Sequence, residues 1–100
     1  MSLATLFDEV YYINNEADVA NAVLNEQFSD GLQHFTFFGG KELRSPNAFF
    51  DPVYYGSENS LVVQAIERNQ FNNLFQHYQI FGEKENRAPR LILTGLTLIP

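Results

Sequence analysis

The chain contains one stretch twice, and this doubling constrains its fold more than any other feature. Residues Phe7 to Asn47 and Phe50 to Arg90 align at an offset of 43 without a gap and agree at 17 of 41 positions. The agreements include Phe7/Phe50, Asp8/Asp51, Tyr11-Tyr12/Tyr54-Tyr55, Gln33-His34/Gln76-His77, Phe38-Gly39/Phe81-Gly82 and Pro46/Pro89. A period near 43 falls among helical repeat architectures. The expected fold is therefore all-α: two tandem repeats, 7–47 and 50–90, each of three short helices, packed with pseudo-symmetry. Residues 1–100 form one small domain, closed by an extended apolar tail over 91–100.

Each helix has readable ends. Asp51-Pro52 sets a capping carboxylate before a ring suited to the first helical turn, and Asp8-Glu9 sets an acid there instead. The polar runs Asn14-Asn15-Glu16 and Gly56-Ser57-Glu58-Asn59 are expected to end these first helices early. Second helices are expected over 17–25 and 60–69, with Ser60 a cap, and with Val19, Ala22 and Val23 answering to Val62, Ala65 and Ile66 on one apolar face. Phe28 and Phe71 plug the connections that follow. Third helices are expected to begin at the caps Ser29 and Asn72 and to end where Gly39 and Gly82 turn left-handed. Between those ends Leu32, Phe35 and Phe38 match Phe75, Tyr78 and Phe81, an aromatic stripe expected to form each repeat's core.

Little of this reads as chemistry. His34 and His77 are the candidate metal ligands or bases, since neutral imidazole serves both roles. Their i+4 neighbours, however, are Phe38 and Phe81, so neither helix offers a paired ligand. Each histidine is read instead as finishing the core edge by donating to a carbonyl or a tyrosine. Glu42 with Arg44 and Glu85 with Arg87 read as ion pairs that fix a turn, and Asp8 and Asp51 read as caps. Helical geometry turns one ring of each tyrosine pair inward and one outward, and Tyr12 and Tyr55 are taken as offering a hydroxyl to a partner. Calcium-loop, phosphate-loop, nucleophile-elbow and His-Glu-x-x-His patterns are absent, so no enzyme activity and no cofactor are expected.

Composition narrows the partners. A net charge of −6 with six Lys and Arg disfavours nucleic acid and anionic membrane surfaces. That charge is uneven: residues 1–47 carry seven acids against two bases, and 48–100 carry five against four. Without cysteine there is no disulfide and no thiolate metal site. The opening MSLATLFDEV lacks a basic segment followed by an apolar run, so neither a signal peptide nor a membrane span is expected. That leaves the cytoplasm, or export without an N-terminal signal.

The pattern carried by Phe7-Asp8, Tyr11-Tyr12, Asp18-Val19, Ala22-Val23, His34-Phe35, Phe38-Gly39, Glu42, Arg44 and Pro46 resembles a tandem repeat of bacterial, often cyanobacterial, proteins. Such repeats accompany hemolysin-type calcium-binding or glycosyltransferase regions. The chain departs from that pattern at Leu61, where the repeat has the acid seen as Asp18, and at Leu43 and Asn86, where glycine is usual. The resemblance implies an accessory, non-catalytic module.

Two units are fewer than the roughly three that usually enclose a continuous core, so their ends need covering. The expected function is a scaffold or interaction module that binds a protein or a second copy. Its contacts would be the exposed aromatics and the uncharged tail residues Leu91, Ile92, Leu93, Leu96, Leu98 and Ile99. The alternative is a small calcium- or metal-responsive module built on the histidines and nearby acids.

Overall fold

A computed structural model describes residues 2–92. The expected tail residues Leu93, Leu96, Leu98 and Ile99 lie outside them. Every element among the described residues is helical. A short 3-10 turn (Leu3–Thr5) precedes α1 (Glu9–Asn15), α2 (Ala17–Leu24) and α3 (Gly31–His34), and α3 runs straight into a π-helical turn over Phe35–Gly39. The second half follows with α4 (Pro52–Glu58), α5 (Ser60–Glu67), α6 (Leu74–His77) and a π-helical turn over Tyr78–Gly82. None of these helices is long and apolar enough to cross a membrane.

The helix starts follow from local chemistry. Asp8 accepts from the Tyr11 N–H at 3.0 Å, and Asp51 accepts from Val53 and Tyr54 at 3.0 and 3.2 Å. Both first helices are brief and end inside the polar runs expected to break them, at Asn15 and Glu58. Ser60 is the first residue of α5 rather than its cap. The caps of α3 and α6 sit one residue later than Ser29 and Asn72: Asp30 and Asn73 accept from the Gln33 and Gln76 N–H groups, both at 2.8 Å. Gln33 and Gln76 return the favour, accepting from the Ser29 and Asn72 N–H groups at 2.8 and 2.6 Å. This reciprocal arrangement accounts for the shared glutamines.

The helix ends overturn one expectation. Among the described residues no glycine has positive φ; that conformation belongs to Glu26, Leu43, Asn69 and Asn86, at 59–62°. At each the chain closes with paired bonds, for example Gln27 N–H to Ala22 O at 2.8 Å with Glu26 N–H to Val23 O at 3.0 Å. Gly39 and Gly82 instead lie inside the π-helical turns, where the Gly40 N–H reaches back to Phe35 O and the Glu83 N–H to Tyr78 O.

The core is aromatic. Tyr12, Tyr55, Phe35, Phe50, Phe75 and Tyr78 are buried together with Val19, Val62 and Leu74. Of the expected stripe Phe35, Phe75 and Tyr78 belong to it, whereas Leu32, Phe38 and Phe81 are 46, 52 and 38% exposed. Phe35 meets Phe75 edge-on at 5.7 Å, which joins the halves. Each half also closes on its own start, as the Asp8 N–H donates to Pro46 O at 3.0 Å and the Asp51 N–H to Pro89 O at 2.8 Å. Buried Asn47 ties the linker to the N-terminal turn by donating to the carbonyls of Ala4 and Leu6.

Candidate functional site

Two Tyr–His couples stand at the centre of the molecule. The Tyr12 hydroxyl lies 2.8 Å from His34 Nδ1, and the Tyr55 hydroxyl lies 2.7 Å from His77 Nδ1. Both tyrosines are fully buried, so neither presents a hydroxyl to a partner. The inward ring of each tyrosine pair is the second one. Burial pushes both phenols well above their ordinary pKa, and burial followed by the Arg87 charge pushes His77 down. A neutral imidazole with its hydrogen on Nε2 accepts the phenol hydrogen at Nδ1, which satisfies both buried groups.

The couples explain the shared glycines. A Cβ on Gly39 would land on the Tyr12 hydroxyl oxygen, and one on Gly82 would land on that of Tyr55. The π-helical turn brings this bare backbone against the phenol. Phe28 packs edge-on to His34 at 4.9 Å and to Phe38 at 5.8 Å, while Phe71 does the same to His77 and Phe81 at 5.0 and 5.9 Å.

Around this centre the halves diverge. Arg44 bonds Glu42 at 2.8 Å, as Arg87 bonds Glu85 at 2.7 Å, but Arg44 also reaches Glu16 at 2.5 Å and Asp18 at 2.8 Å. Arg87 finds Asn59 instead. The hydrogen bond from Arg44 holds the Asp18 carboxyl down at about pH 2. Sequence reasoning missed Glu16 and Asp18 because they lie 28 and 26 residues from Arg44. A signal was present: both acids are replaced together, by Asn59 and Leu61, in the second half.

A second exchange of the same kind involves Glu9. Its carboxylate accepts from the Gly31 and Leu32 N–H groups at 2.6 and 3.0 Å, closing the start of α3. Pro52 stands at the matching position in the second half, where buried Leu74 replaces Gly31. Gly56 then makes room, since a Cβ there would sit 3.1 Å from Leu74 Cδ1.

Where the halves meet, a groove of about 570 Å³ opens between the Gly40–Leu43 turn and helices α4 to α6. Leu43, Pro52, Val53, Val63, Ile66 and Leu74 give it an apolar floor, with Lys41 and Glu67 at its rim. Leu91 and Ile92 are more than half exposed at the other end of the chain. Among the described residues no group of three His, Asp or Glu side chains is placed to hold a metal ion. No family model matches the chain, and no curated protein or solved structure does.

Proposed function

We propose that the chain is one helical unit made twice and packed with pseudo-symmetry, and that it serves as a non-catalytic interaction module. It docks a protein partner or a second copy through its exposed apolar surface and the segment from Leu91 to Pro100. The single observation that carries this reading is the junction groove. Leu43 and Val53 are 45 and 61% exposed in its lining beside buried Leu74, an open apolar concavity of the kind that marks an interaction surface. Exposed Phe37, Phe38, Phe49, Ile80 and Phe81 extend the apolar surface. The paired Tyr–His couples, reciprocal glutamine caps and closing Asp–Pro bonds support the doubled unit. Nothing favours the metal-responsive reading, since the Nδ1 atom of each histidine already faces a phenol.

Light scattering coupled to size-exclusion chromatography tests the proposal on three proteins: the full chain, Val53→Asp, and a chain lacking Leu91 to Pro100. Loss of association in either variant is the expected result. A full chain that is monomeric, captures no partner from its host and melts unchanged after both alterations refutes it.

A further inference from the structure

The two halves treat the same exposed ring differently. In the second half, Lys84 Nζ sits 5.2 Å from the centroid of the Phe81 ring, so the chain supplies its own cation to that face. The matching lysine of the first half, Lys41, turns away and donates to Asn72 Oδ1 at 3.2 Å. Phe38 is left 52% exposed against 38% for Phe81, and Phe37 beside it is 64% exposed. The electrostatics differ in the same sense. The charges of Glu16, Asp18, Glu42 and Arg44 all bear on the Tyr12 phenol, whose partner His34 packs against Phe38, whereas the only carboxylate that bears on Tyr55 is Glu85, beside Arg87 and the Tyr78 phenol. Three carboxylates and one guanidinium leave an excess of two negative charges, against none for the second pair. Glu26, which makes no ion pair among the described residues, shares a surface hollow with Phe28 and adds another acid where the second half has Asn69.

We infer that the Phe38 face of the first half is a docking surface for a lysine- or arginine-bearing segment of a protein partner. A cationic side chain would lie over the Phe38 ring as Lys84 lies over Phe81, with the first half's excess of acids supplying the long-range attraction. This rests on the reading of the chain as an interaction module and names the partner's chemistry at one of its surfaces.

The test is an NMR titration of the isotope-labelled full chain with a short peptide of alternating lysine and glycine, and with the matching glutamate peptide as control. Saturable shifts at the amides of Glu26, Phe28, Phe38 and Gly39 are expected with the lysine peptide alone, and they weaken as salt rises. Phe38→Leu is expected to weaken binding roughly fivefold, the loss of about one cation–π contact. Glu26→Gln, at an exposed position that leaves the core intact, weakens it in the same direction, and Phe81→Leu leaves it unchanged. Absence of saturable shifts, indifference to Phe38→Leu, or equal sensitivity to Phe81→Leu overturns the inference. So do the same shifts produced by protein concentration alone, which assign the cation to a second copy. If Val53→Asp abolishes association while the lysine peptide leaves the first half unshifted, this inference falls and the interaction-module reading stands.

Discussion

Gly39→Ala is the most direct trial of the Tyr–His couple. The new methyl lands on the Tyr12 hydroxyl, and Tyr12 is wholly buried, so the phenol cannot swing into solvent to make room. The hydroxyl is pushed off His34 Nδ1, at about 1–3 kcal/mol for a buried bond broken with its partners unpaired, and the turn is forced outward, at about 1–3 kcal/mol for an overpacked core. Both together, less the roughly 1 kcal/mol by which alanine favours a helix over glycine, give a net loss of about 3 kcal/mol. For a domain of this size that lowers Tm by roughly 15 °C. Urea unfolding followed by circular dichroism and tyrosine fluorescence gives the value, and Tyr12→Phe gives the control. With the hydroxyl removed, the nearest ring atom to the added Cβ is the Tyr12 ring carbon Cζ, 3.1 Å away, which small shifts accommodate. Gly39→Ala should therefore cost far less in the Tyr12→Phe background than in the native one, a coupling of more than about 1 kcal/mol. A neutral or stabilising Gly39→Ala, or two substitutions whose effects simply add, refutes the account of why glycine stands there.

Other expectations follow from the same geometry. Glu26→Gly should raise stability by about 1 kcal/mol in urea unfolding, because Glu26 holds φ at 62° with its side chain exposed and glycine removes that strain. Arg44→Gln should cost about 1–2 kcal/mol, and Arg87→Gln less, since the first leaves Glu16, Asp18 and Glu42 facing one another and the second leaves one acid. Acidification should lower Tm through the imidazole range. The folded state holds the His77 pKa below its ordinary 6.5, so the unfolded chain binds more protons just under that pH. Stability from this group is complete above 6.5 and is lost as pH falls toward the folded value, and His77→Gln should flatten that part of the profile. Glu9→Ala should cost about 1 kcal/mol by freeing two N–H groups at the start of α3, seen as faster hydrogen exchange at Gly31 and Leu32.

What the sequence discloses depends on how far apart the interacting residues lie. Asp8 and Asp51 read as caps because the groups they satisfy are two or three residues away. The all-helical class follows from the same short-range chemistry. Arg44 with Glu42 is likewise visible, whereas Glu16 and Asp18 complete the cluster only through folding. The tyrosine pairs were open to either ring, and what decides for Tyr12 and Tyr55 is a histidine 22 residues on, present at the same distance in both halves. Glycine is where local reasoning fails most instructively. It serves a left-handed turn or a close approach, and nothing within a few residues of Gly39 separates the two. The doubling could have separated them. A helix-ending position admits several residues, as Glu26 and Asn69 or Leu43 and Asn86 demonstrate by holding positive φ without agreeing. A position pressed against a phenol admits glycine alone, and so Gly39 and Gly82 agree, along with the tyrosines and histidines that press on them. Agreement between the halves thus marks the contacts that build each unit. Departure is what leaves Phe38 more exposed than Phe81, whose ring carries Lys84.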